Sequence, residues 1–122
     1  MIKDYIKLTI EDCYKLNTDY QNQFLGNEVF PEPHYEKVLL SERTVNKIRY
    51  KNVYILEPNH YYYVTFQEDI YDKNFYIMNK AVFMNGLMGQ LGEDKVFLYN
   101  ASQNMVYLQK GTILGYIFKG GV

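Results

Sequence analysis

The chain has 122 residues, 48% of them hydrophobic, and a formal net charge of −1. A chain of this length is ordinarily one domain that buries roughly two-thirds of the surface its unfolded form exposes, so the core needs no covalent staple and the apolar share excludes disorder. The near-neutral balance with dispersed lysines leaves no footprint for duplex nucleic acid, and the single cysteine, Cys13, cannot form an intrachain disulfide.

Tyrosine carries much of the apolar share, with 14 Tyr and no Trp. That usage suits strands and half-wet interfaces, where the ring packs and the hydroxyl finds a partner. Only Arg43 and Arg49 supply guanidinium forks, so a clamp on a polyphosphate falls largely to lysines and backbone N–H groups. No window approaches the roughly 18 apolar residues of a membrane span, and Met1 to Tyr5 opens no signal-peptide core. The expectation is a cytoplasmic protein of one domain, residues 1–122, without a membrane partner.

In chain order, the first predicted element is an α-helix over residues 9–25. Thr9-Ile10-Glu11-Asp12 has the form of a capping box with Asp for Glu, and Ile10, Cys13, Tyr14, Tyr20 and Phe24 recur at helical spacings. Gly26 is the expected terminator, and Cys13 is expected to fill space on the buried face. Pro31 and Pro33 then hold the chain extended across to a sheet. His34 and His60 are too scattered to make a zinc-type spacing with Cys13, so neither metal nor cofactor is expected.

Residues 37–118 read as strand-rich. Lys37 to Leu40 and Thr44 to Tyr50 are predicted edge strands, followed by Asn52 to Leu56 and a turn at Pro58-Asn59, where Asn tolerates positive φ. Tyr61 to Gln67 alternates, with Tyr62, Val64 and Phe66 on one face and Tyr61, Tyr63 and Thr65 on the other, so three successive tyrosines cannot make one stacking surface. Phe75 to Phe83 is a further apolar run. Gly86, Gly89 and Gly92 follow it as turn formers, with neither a Walker pattern nor G-x-G-x-x-G around them. Val96 to Phe118 closes the chain as three short strands, joined at Ala101-Ser102-Gln103-Asn104 and at Lys110-Gly111.

The order of these pieces resembles the dUTPase and dCTP deaminase superfamily over about Asn52 to Phe118. Leu56-Glu57-Pro58-Asn59 is similar to that family's Leu-x-Pro-Gly turn, and Asn79 to Leu87 lines up with its Arg-Ser-Ser-x-x-x-x-Gly-Leu segment. Leu98-Tyr99-Asn100 and Lys110 to Phe118 are similar to its Leu-x-Asn and closing motifs. The resemblance implies a mainly β protein, a distorted jelly-roll β-barrel over residues 37–118 beside the N-terminal helix. It also implies a homo-oligomer, usually a trimer, with ligand sites at subunit boundaries.

The departures bear on function. Asn79-Lys80-Ala81 stands where the family has Arg-Ser-Ser, Gly89 to Asp94 is too short for the family's catalytic hairpin, and Tyr116 replaces the closing Gln. Glu68, Asp69, Asp72, Glu93 and Asp94 read as solvated strand ends. Phosphoanhydride hydrolysis needs a positioned base and a metal or cationic clamp, so the chain is expected to be non-catalytic, with no catalytic residue assigned.

The leading expectation is therefore a barrel that binds or sequesters a nucleotide or a nucleotide-derived signal. Asn79, Lys80, Asn85 and Gly86, with Lys110 and Gly111, are its candidate contacts, because amide and ammonium donors beside glycine turns can approach phosphates and base edges. One alternative is a structural or protein-binding module engaging a host protein; another is a divergent nucleotide hydrolase. Richness in Lys, Asn, Tyr and Ile suggests an AT-rich genome of the kind phages and other viruses carry, where such a barrel would serve counter-defence.

Overall fold

The computed structural model describes residues 5–17, 34–68, 75–92 and 94–118. Strand β1 (Tyr5–Leu16) is followed by β2 (Tyr35–Lys37), β3 (Ser41–Val45), β4 (Ile48–Leu56), β5 (Tyr61–Phe66) and β6 (Phe75–Met78). A one-turn helix, α1 (Lys80–Met84), leads to β7 (Leu87–Leu91), β8 (Val96–Asn100), β9 (Val106–Gln109) and β10 (Ile113–Phe118). All pairings are antiparallel. A seven-stranded sheet runs β6-β10-β1-β5-β8-β7 with β2 also on β1, and a three-stranded sheet runs β3-β4-β9.

The protein is thus mainly β, as its alternating runs predict, but the described residues form two sheets and no closed hydrogen-bonded barrel. Both sheets feed one core. Leu8, Ile10 and Cys13 of β1, with Tyr62 and Val64 of β5 and Leu114 and Ile117 of β10, meet Tyr54 and Leu56 of β4 and Leu108 of β9. The buried tyrosines keep their hydroxyls occupied: Tyr54 donates to the Glu11 carbonyl at 2.6 Å, and Tyr62 accepts the Glu57 N–H at 2.6 Å. Burial pushes both phenols up to about 12.

The predicted helix over 9–25 is corrected from Thr9 to Leu16, which lie in β1; residues 18–25 lie outside the described residues. The cause of the misreading is local. The pairing of β1 with β5 shifts register between Ile10 and Cys13, so both face the core although three positions apart. A bulge in a strand has imitated the i, i+3 spacing of a helix. The capping-box residues serve the sheet instead, with Thr9 N–H donating to Glu68 Oε1 and Asp12 N–H to Thr65 Oγ1. Cys13 does fill core space, and its thiol is pushed up to about 12 by burial, with Asp12 adding to the shift.

Strand β5 alternates as expected, with Tyr62, Val64 and Phe66 buried. On the outer face its other tyrosines join rings from neighbouring strands: Tyr63 stacks on Tyr14 at 4.5 Å and Tyr61 packs on Tyr99 at 4.4 Å. Such cross-strand ring pairs stabilise a sheet and use the tyrosine excess. The predicted strand Thr44 to Tyr50 is instead a hairpin. Asn46 (φ 50°) and Lys47 (φ 66°) turn the chain between β3 and β4, the two-residue geometry that fits strand twist. From Glu42 to Asn52 every residue of this hairpin is exposed.

The two edge strands of the large sheet, β6 and β7, are joined through α1 and approach each other across the core. A Cβ placed on Gly89 of β7 would collide with the terminal methyl of Met78 of β6. The sheet is therefore curled until the Met78 side chain of one end lies against the Gly89 backbone of the other.

Candidate functional site

Where β6 ends, Asn79 starts α1. Its Oδ1 accepts the Ala81 N–H at 3.1 Å, the usual N-cap bond, while its Nδ2 donates to the Ile113 carbonyl at 2.8 Å. One amide thus begins the helix and ties it to β10. At the far end, Asn85 Nδ2 donates back to the Ala81 carbonyl at 2.6 Å. Gly86 follows at φ +91°, and a Cβ there would stand 2.7 Å from Ser102 Cβ, so both backbone conformation and space demand glycine.

Opposite Gly86 lies the turn between β8 and β9. Asn100 is fully buried and satisfies all its amide hydrogens and its oxygen. Nδ2 donates to the Leu56 carbonyl at 3.0 Å and the Asn104 carbonyl at 2.9 Å, and Oδ1 accepts from the Ser102 N–H at 3.0 Å and Oγ–H at 2.7 Å. Ala101 N–H donates to the Gly86 carbonyl at 2.9 Å, which fastens this turn to the end of α1. A buried polar cluster of this kind rigidifies what surrounds it because each member would be costly to leave unpaired.

These two rigid turns and the β3–β4 hairpin enclose a cleft of about 780 Å³. Asn85 and Gly86 line one side, Ser102, Asn104 and Met105 the next, and Arg43, Tyr50, Tyr107 and Gln109 a third. Arg43 and Tyr50 lie directly opposite each other in the hairpin and share a face. The Arg43 guanidinium rests over the Tyr107 ring, 4.8 Å from its centroid. Arg43 has no carboxylate within ion-pair distance among the described residues, whereas Arg49 is held by Glu42 at 2.6 Å. The described lining carries no carboxylate, so Arg43 sets the sign of the site.

Of the contacts predicted from sequence, Asn79, Asn85 and Gly86 line the cleft, while Lys80, Lys110 and Gly111 do not. Lys80 is exposed at the start of α1. Lys110 and Gly111 form the β9–β10 turn, where their N–H groups donate to the Asn52 and Ile10 carbonyls, and their neighbours Gln109 and Thr112 face the cleft. Arg43, Tyr50, Asn104 and Tyr107 were not anticipated. Their only signal in the sequence is the scarcity of arginine, since which strand a lone Arg faces depends on pairing that spacing does not reveal.

Among the described acidic residues, Glu68 and Asp94 are each taken up by a local partner. Glu68 accepts from the Thr9 N–H, Asp94 is paired with Lys95 at 3.8 Å, and Asp69, Asp72 and Glu93 lie outside the described residues. His60 is fixed by its Nδ1 contact to the Pro58 carbonyl at 2.7 Å, and no group of three His, Cys, Asp or Glu among the described residues is placed to hold a metal ion. No helix among the described residues is long and apolar enough to cross a membrane. Comparison with family models and with curated proteins finds no match to this chain.

Proposed function

We propose that the protein is a non-catalytic binding module whose cleft receives a nucleotide or a nucleotide-derived signal, held in a homo-oligomer for which a trimer is favoured. The observation that carries this reading is the lone guanidinium, parked on an aromatic ring, in a cleft bounded by amides and tyrosines. Arg43 suits a phosphate and Tyr107 or Tyr50 a planar base, while Asn85, Asn104 and Gln109 offer donors and acceptors to base or sugar edges. The described lining supplies binding chemistry: it orients a ligand and offers one fixed charge. Membership of the dUTPase-like superfamily, a place in a phage or other virus and a cytoplasmic site of action remain part of the same proposal. It is supported by the order of turns at Pro58-Asn59, Gly86-Leu87, Asn100 and Lys110-Gly111.

The test is native mass spectrometry of gently purified protein, followed by calorimetric titration with a panel of nucleoside mono-, di- and triphosphates and cyclic nucleotides. Retention or micromolar binding of one class is expected, together with a Kd raised roughly ten- to hundredfold by Arg43→Ala, the worth of a charge-assisted contact. Binding of none of the panel would overturn the reading.

A second reading, a module that binds a host protein, is favoured by α1 itself. Phe83 and Met84 are 62% and 72% exposed beside the cleft. Exposed large apolar residues that adjoin one another mark contact surfaces more often than isolated ones do. A stoichiometric protein partner in a native pulldown, lost on Phe83→Ser with Met84→Ser, would favour it.

A further inference from the structure

The β3–β4 hairpin concentrates the positive charge of the chain. Arg43, Lys47, Arg49 and Lys51 lie within it against the single carboxylate of Glu42, so its net charge is +3 while the chain as a whole is −1. Both arginines of the sequence are here. Glu42 takes up Arg49, and neither Lys47 nor Lys51 has a carboxylate within ion-pair distance among the described residues. An arm with every residue from Glu42 to Asn52 exposed owes little to the core, and an isolated hairpin is only marginally stable. Its form and its charge both point to something it touches.

That arm is continuous with the cleft. Direct pairing places Arg43 with Tyr50 and Val45 with Ile48, so these four share the cleft-side face, with Lys47 at the tip; Lys51, next to Tyr50 along the strand, belongs to the other face. Along the cleft-side face the order is ring, cation, ring: Tyr107, Arg43 over it, and Tyr50, the two rings 39% and 40% exposed. Aromatic rings that take base faces, beside cations that follow a phosphate backbone, are the two components by which proteins hold single-stranded nucleic acid. Val45 is two residues beyond Arg43 and Lys47 sits in the turn just past it, so at about 3.3 Å per residue Lys47 stands roughly 7–10 Å beyond Arg43, placed for a second phosphate rather than for the one nearest Arg43.

We infer that the cleft and the arm form one track for a short single strand, with one nucleotide in the cleft and the following phosphate on Lys47. This rests on the nucleotide reading of the cleft and extends its ligand from a free nucleotide to an oligonucleotide.

The test compares thymidine monophosphate, a thymidylate tetramer and a stable twelve-base-pair duplex, at equal phosphate concentration, by competition against a fluorescent tetramer, with heparin as a base-free polyanion. The tetramer is expected to bind at least tenfold more tightly than the monophosphate. Its log K should fall against log salt with a slope of about −1.4 for two phosphate contacts, or roughly sevenfold between 50 and 200 mM. Lys47→Ala should remove that advantage, reduce the slope to about −0.7 and leave monophosphate binding unchanged, whereas Lys51→Ala on the opposite face should change neither. Tyr107→Ser should weaken the tetramer and leave heparin unaffected.

If monophosphate and tetramer bind equally, the track is overturned and the nucleotide cleft stands. If neither binds, the track is overturned, and the nucleotide reading is decided by the wider panel. Preference for the duplex, or equal binding of tetramer and heparin, overturns the single-strand track by removing the role of exposed bases.

Discussion

Replacing Asn100 by alanine tests whether the buried amide holds the cleft wall. The substitution removes four hydrogen bonds, to the Leu56 and Asn104 carbonyls and to the N–H and hydroxyl of Ser102. Leu56 is fully buried, so its carbonyl is left unpaired at a cost of about 2 kcal/mol. The other three partners sit on a partly exposed turn where water substitutes, at roughly 0.5 kcal/mol each. The sum is about 3.5 kcal/mol, a large part of the marginal stability of a domain this size. At about 2.1 cal/mol/K per residue of unfolding entropy, this lowers Tm by about 14 °C. Urea unfolding should give a lower midpoint with an unchanged m-value, and calorimetry the shift in Tm. Asn100→Asp should be no better tolerated, because a carboxylate oxygen would then face two carbonyls. A loss below about 1 kcal/mol for the alanine variant, or a tolerated aspartate, would refute the assignment of the amide as the clasp of this turn.

The two glycines at positive φ should respond differently. Gly111→Ala meets no atom within 4 Å and should cost about 1 kcal/mol from its φ of +90° alone, whereas Gly86→Ala adds the collision with Ser102 and should cost at least twice as much in urea unfolding. Equal costs would show that the turn yields freely. Alkaline stability follows from the core: the Cys13 thiol is raised from 9.0 to about 12, and Tyr54 and Tyr62 from 10.0 to about 12. Folding favours their protonated forms, so this stability is complete below pH 9 and is lost as pH climbs towards 12. The urea midpoint should fall over that window, and a flat profile would refute the burial of these groups. In the native state Cys13 should resist iodoacetamide at pH 8 and react fully in urea; ready labelling of folded protein would contradict its burial.

Much of the sheet was legible because its signals are local. The Pro58-Asn59 turn places Asn59 at φ 60°, and strict alternation in Tyr61 to Phe66 sends Tyr62 inward and Tyr61 and Tyr63 outward. The misreadings occur where local rules were broken by a bulge or an unmarked turn. At Ile10 to Cys13 the register shift gave a strand helical spacing. At Asn46-Lys47 the hairpin turns without a glycine, so Thr44 to Tyr50 passed for one strand. In the apolar run from Phe75 to Phe83, Asn79 ends β6 and starts α1 by taking the cap bond. Asn79, Asn85 and Gly86 reach the cleft together because they are near neighbours in sequence. Arg43 and Tyr107 reach it by cross-strand pairing 64 positions apart, which no motif encodes.

The contact between Met78 and Gly89 has a consequence for how the protein can change over generations. The ends of the curled sheet are fastened there by one side chain and one absent side chain, with no ladder of hydrogen bonds between them. Such a seam is inherited as a pair. A larger residue at 89 must displace the methyl at the far end of the flexible Met78 side chain, and a shorter residue at 78 eases that displacement. Among descendants of this sequence the two positions should drift in step, and their summed volume should vary less than either alone.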